Sequence, residues 1–173
     1  MIHNIFSSLE SFKALTFNSG LNVVLADKSQ GATDKQTRNS SGKTSIIAII
    51  HFLLGGACER TSPFRSEALR DESLGMSFDI GRQRITATRS GGAPNRITVD
   101  ANLPEWPIHP SVDDVTGETV LSSKPWNTAL GASVFNVNEA SKFSPSFRSM
   151  IPYFVRREWD GGFHCADKNT EKQ

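Results

Sequence analysis

Cysteine is scarce: Cys58 and Cys165 are the only two in 173 residues. Lying far apart and in no C-x-x-C pair, they exclude a thiol-rich framework and give no zinc-type spacing. No apolar run approaches the roughly 20 residues that a membrane helix needs. Near the start there is no basic region followed by an apolar stretch and a small-residue cleavage site, so a cytoplasmic location is the default expectation, with no membrane partner. Charge of either sign is not in excess. A formal net charge of +1 and a pI near 7.8 give no global electrostatic argument for nucleic acid, so a surface of that kind would have to be local. The four histidines, His3, His51, His109 and His164, form no ligand spacing. His51 reads as a residue on the wet or boundary side of a helix. Internal repeats and coiled-coil heptads are absent as well.

What is present suits one globular domain rich in loops, with 13 glycines, 8 prolines and a 37% apolar fraction. Ile2 to Phe6, Phe12 to Phe17 and Leu21 to Leu25 read as strands. The last, mostly apolar, has the look of a central strand covered on both faces. Residues 26–41 are polar and without periodicity, and read as a long loop. Lys43 to Leu54 is apolar on most of its circumference and stops at Gly55-Gly56, which predicts a buried helix. Arg60 to Ser73 reads as loop or short helix. Met76 to Ile80 and Gln83 to Arg89 flank a Gly81-Arg82 turn, the strongest hairpin signal in the chain. In its second arm Gln83, Ile85 and Ala87 face one way, and Arg84, Thr86 and Thr88 the other. Ile97 to Val99 adds a strand. The stretch 102–131, with four prolines and two of the three tryptophans, reads as an irregular insertion. Ala132 to Asn138 reads as a strand, and Ser146 to Arg157 has helical spacing with a kink or boundary at Pro152. From Trp159 onward the chain is polar and unpatterned.

Chemistry concentrates between the apolar strand and the apolar helix. Thr37-Arg38-Asn39-Ser40-Ser41-Gly42-Lys43-Thr44 matches a Walker A phosphate loop, G-x-x-x-x-G-K-[ST], except that Thr37 replaces the first glycine. Backbone N–H groups of Asn39, Ser40, Ser41, Gly42, Lys43, Thr44 and Ser45 would form an anion nest at a helix N-terminus, where the positive end of the dipole adds to it. Lys43 would reach the β and γ phosphates, and the Thr44 hydroxyl would be a ligand of Mg²⁺. ATP with Mg²⁺ is the ligand expected. The bland alternative is a surface turn capping a core helix.

Taken in order, Phe12-Lys13, Gly20-Leu-Asn-Val-Val24, Asn39 to Ser45 and the helix ending in Phe52-Leu-Leu-Gly55 resemble the opening of the SMC, RecN and RecF class of ABC-type ATPase heads. Within that class they are closest to SMC-like ATPases of bacterial defence systems. The resemblance implies an α/β fold: a P-loop NTPase head, N-terminal lobe, with a mixed sheet, an antiparallel hairpin region and one buried helix after the phosphate loop. On this division residues 1–173 form a partial head, with strands, phosphate loop and first helix over 1–57, the hairpin region over 73–100, the insertion over 101–131 and a helical segment over 132–173. It further implies that Walker B carboxylates, signature motif and switch histidine come from a missing C-terminal lobe or a head–head dimer partner. DNA would then be a partner of the complete protein, in repair, maintenance or anti-phage defence. Val23 to Asp27 mimics a Walker B ending but runs into the phosphate loop, and Ser90-Gly91-Gly92 mimics a signature but sits in a turn. Arg65 stands where the class has a nucleotide- or DNA-sensing arginine, or is one solvated arginine among several. Gln173 falls where the class has its catalytic glutamine, or is only the last residue. ATP binding with little turnover by these residues alone is the expectation. A different P-loop enzyme, such as a kinase, and an inactive remnant are the alternatives.

Overall fold

The computed structural model describes residues 1–24, 43–137 and 144–156, with the Lys43 side chain excepted. Seven strands form one sheet: β1 (Ile2–Ser7), β2 (Leu15–Thr16), β3 (Ser73–Ile80), β4 (Gln83–Ser90), β5 (Arg96–Val99), β6 (Ser111–Val112) and β7 (Thr119–Ser122). Their spatial order is β2-β1-β3-β4-β5-β7-β6, and every described pairing is antiparallel. The expected α/β P-loop fold with its mixed sheet is therefore corrected to an antiparallel sheet carrying three helices.

Two physical reasons account for the difference. Parallel neighbours need a crossover of a dozen or more residues, whereas β1–β2, β3–β4, β4–β5 and β6–β7 are joined by links of 7, 2, 5 and 6 residues. Gly81 and Arg82 alone join β3 to β4, with Gly81 supplying a positive φ of 59°. The strand expected at Leu21 to Leu25 is also absent over its described part. Asn22 accepts from the Asn18 N–H at 2.9 Å and donates to the Asn18 carbonyl at 2.7 Å, which curls the chain there. Leu21 is left 92% exposed and Val23 68% exposed, so neither enters a sheet. Leu25 lies outside the described residues.

Strand alternation places the core. Leu74, Met76, Phe78 and Ile80 of β3, Ile85 and Ala87 of β4, Ile97 and Val99 of β5, and Leu121 of β7 are buried on one face. On the other face Ser77 and Thr86 share a hydroxyl hydrogen bond of 2.8 Å. Gly75 is required there because the Phe6 ring lies where a Cβ would project.

Among the described residues three α-helices accompany the sheet. Helix α1 (Lys43–Leu53) packs on β3 and β4 through Ile49, Ile50, Phe52 and Leu53. It ends at Gly55, whose φ of 80° suits glycine. Helix α2 (Ser123–Phe135) packs on β5 and β7 and lies within two stretches read from the sequence as an insertion and a strand. Trp126, Ala129 and Leu130 form its buried stripe, Pro125 sits harmlessly in its first turn, and Asn136 closes it in the left-handed region at φ 53°. Trp126 meets Phe78 and Trp106 edge to face, with ring centroids 6.3 and 5.9 Å apart. Short helix α3 (Phe147–Met150), opened by a reciprocal Ser146–Ser149 capping box, runs into a 3₁₀ turn at Ile151–Tyr153 around the buried Pro152. Among the described residues no helix is long and apolar enough to cross a membrane.

Candidate functional site

Residues Lys43 to Leu53 become a helix because an apolar run without glycine or proline can be buried against the sheet, which outweighs the modest helix propensity of its four isoleucines. Its two ends differ. Thr44 and Ser45 in the first turn are exposed, Ile46 to Ala48 are half-buried, and Ile49 onward is buried. The first-turn N–H groups of a helix lack intrahelical partners and carry the positive end of the dipole. A phosphate group approaching Thr44 and Ser45 would meet both.

Clefts flank that turn on either side. One, of about 520 Å³, is lined by Met1, Ile2, Phe17, Val24, Ile46 and Ile50 among others. The other, of about 210 Å³, is lined by Leu9, Phe12, Ser45, Ile49, Phe64 and Leu74 among others. Both walls are mainly apolar, the character of a pocket that buries an uncharged part of a ligand.

Of the residues singled out from sequence, Thr44 and Ser45 are placed together at the start of α1. Lys43 begins the helix. Asn39, Ser40, Ser41, Gly42, Gln173, Asp27, Cys165 and His164 lie outside the described residues. Arg65 ends an exposed 3₁₀ turn, Pro63–Arg65, where its neighbour Phe64 stacks on Phe52 with centroids 4.4 Å apart. The Ser90-Gly91-Gly92 stretch is a packing feature. A Cβ on Gly91 would overlap the Phe64 carbonyl, and the Gly92 N–H donates to the Arg70 carbonyl at 2.6 Å.

The three described histidines do not converge. His3 bonds Asp79 at 2.7 Å and His109 bonds Asn102 at 2.8 Å. His51, expected on the wet or boundary side of α1, is fully buried instead. Its Nε2–H donates to the Val155 carbonyl at 2.7 Å, since a carbonyl only accepts, and its Nδ1 accepts from Arg148 at 3.3 Å. No group of three or more His, Cys, Asp or Glu side chains able to hold a metal occurs among the described residues.

Sequence reasoning missed Arg89, which is only 4% exposed. The signal was the alternation itself, because a strand that turns Ile85 and Ala87 inward also turns Arg89 inward. Its Nη1 donates to the Phe52 carbonyl and to the Gly56 carbonyl at 2.8 Å, and its Nε donates to Pro94 at 2.7 Å. Burial pushes the guanidinium down to about 10, which leaves it a cation at neutral pH.

Compared with models of known protein families, with curated proteins and with solved structures, the chain shows no match in any of the three.

Proposed function

We propose that this chain binds ATP with Mg²⁺ at the start of α1. In this reading the backbone N–H groups of the first turn and Lys43 hold the β and γ phosphates, and Thr44 contributes its hydroxyl to the metal. The carrying observation is that Ser41-Gly42-Lys43-Thr44-Ser45 leads into an 11-residue helix that is exposed at Thr44 and Ser45 and buried from Ile49 onward. With the sheet antiparallel throughout, the proposal rests on this helix start and on the order of motifs around it.

Hydrolysis of a phosphoanhydride needs carboxylates that hold the metal and orient water. No acidic cluster stands near Thr44 among the described residues. We assign these residues the binding part of an SMC-like ATPase whose carboxylates come from a second lobe or chain, with DNA as a partner of the complete assembly. A turnover assay on the chain alone tests the division of labour. Binding of a fluorescent ATP analogue, displaced by ATP and weakly by AMP, without multiple turnover supports it. Multiple turnover abolished by Lys43→Ala would overturn it.

A further inference from the structure

Helix α1 is gripped at its C-terminal end by side chains from three other elements. The Phe52 and Gly56 carbonyls accept from Arg89 of β4, the Leu53 carbonyl from Trp126 at 2.9 Å, and the Gly55 carbonyl from Asn127 at 3.3 Å. Arg148 of α3 adds a bond to the Leu54 carbonyl at 3.4 Å. Five consecutive carbonyls, 52 to 56, are thus held from outside, although a helix end commonly leaves such groups to water or to a local turn. Two of the holders are cations, which also match the negative end of the dipole.

Arg89 stands out among them. Among the described residues it pairs with no carboxylate, and its guanidinium lies 4.2 Å above the Phe52 ring. Burying a cation without a counter-ion is costly, and an apolar side chain at this inward strand position would fill space without that cost. What the guanidinium adds is direction: one nitrogen bonds the Phe52 carbonyl in the last turn of α1 and the Gly56 carbonyl just past its glycine stop, so the end of the helix and the chain leaving it are held at one point.

We propose that Arg89, assisted by Arg148, is a positioning residue that aims the first turn of α1 and thereby sets the geometry of the phosphate site. The inference rests on the ATP-binding reading above. Nine residues separate Phe52 from Lys43, about 14 Å along the axis, so a tilt of about 5° at the anchor displaces the first turn by about 1 Å. Anion-binding amides lose most of their advantage when displaced by that much, just as reacting groups do.

The test measures Mg·ATP affinity by calorimetry at 10 °C for wild type, Lys43→Ala, Arg89→Met, Arg89→Lys and Arg148→Gln. Far-UV circular dichroism and a cooperative urea transition establish which variants fold. Weakening by about tenfold in folded Arg89→Met or Arg148→Gln, with part of the loss recovered in Arg89→Lys, supports the proposal. A purely structural role would lower the urea midpoint and leave affinity unchanged, so folded variants within about twofold of wild type overturn it. If Arg89→Met does not fold, the partly exposed Arg148→Gln decides by the same criterion. Wild type that shows no Lys43-dependent binding overturns the ATP reading itself, and this inference falls with it; that failure is visible without any arginine variant.

Discussion

Trp126, from α2, donates its indole N–H to the carbonyl of Leu53 at the end of α1, 2.9 Å away and 73 residues earlier in the chain. Trp126, Leu53 and Trp106 are at most 2% exposed, so one hydrogen bond in the dry interior joins the two helices that cover the sheet. Trp126→Phe keeps most of the apolar area and strands the Leu53 carbonyl. The expected cost is about 1–3 kcal/mol, the desolvation penalty of an unsatisfied buried acceptor. Trp126→Ala adds a cavity and should cost about 3–5 kcal/mol. Urea unfolding of the two variants checks the order, and equal losses would mean that the hydrogen bond contributes nothing.

Glycines in this chain separate into those that packing requires and those that a turn prefers. A Cβ at Gly91 would overlap the Phe64 carbonyl, which is backbone and cannot swing aside, whereas one at Gly81 meets only open space. Gly81→Ala should therefore cost about 1 kcal/mol through its positive φ alone. Gly91→Ala should cost more than about 3 kcal/mol or prevent folding. Comparable melting temperatures for the two variants would contradict the packing described at Gly91.

Gly75 presents a third situation, because the group in the way is the Phe6 ring. Gly75→Ala should destabilise the wild-type chain and do so much less in a Phe6→Ala background. The double-mutant cycle should return a coupling of about 0.5–3 kcal/mol. Strict additivity would show that the ring does not lie over this glycine in solution.

Acid sensitivity follows from two carboxylates. Asp113 is held well below its ordinary value of 3.8 by the backbone N–H of Thr116, then by Arg96 and the N–H of Val115. Asp79 is lowered by its hydrogen bond from His3, with further help from the charges of His3, the terminal amine and Arg84. A depressed folded pKa gives stability that is present above the unfolded value and is lost as pH falls through the folded one. The urea midpoint should thus fall as pH drops from about 4. Asp113→Asn should lower the midpoint at pH 7 and flatten that acid limb. An acid limb in Asp113→Asn parallel to that of wild type would remove Asp113 from the account.

How much of this was legible in the sequence depended on whether local signals agreed with each other. In the β3–β4 hairpin a glycine turn sat between two arms of period two, and Ile85 and Ala87 point inward where Thr86 and Thr88 do not. Helix α1 was legible for the same reason, with a long apolar run meeting a glycine stop. Helix α2 was not, although Trp126, Ala129 and Leu130 have helical spacing, because the prolines and polar residues before them suggested an insertion and Val134-Phe135 suggested a strand. The Leu21 to Leu25 run was misleading in the opposite way: its β-branched and apolar residues promised a buried strand, and Asn22 instead folds back on Asn18. Composition could not reveal that a side chain would satisfy the backbone locally. The start of α1 was readable as a motif, whereas the anchors at its other end come from residues 33 to 94 positions away from the carbonyls they hold, a relation only the fold supplies.

In the proposed function the first turn of α1, with Lys43, holds the phosphates of ATP. Isothermal titration of the folded chain with ATP and Mg²⁺ addresses it most directly, run beside Lys43→Ala under identical conditions. The expected result is a saturable heat in the wild type, lowered at least about tenfold in affinity or lost in the variant, because a cation bonded to phosphate is worth about 1.5–3 kcal/mol. Either no saturable heat in the wild type, or the same isotherm from both proteins, would contradict it.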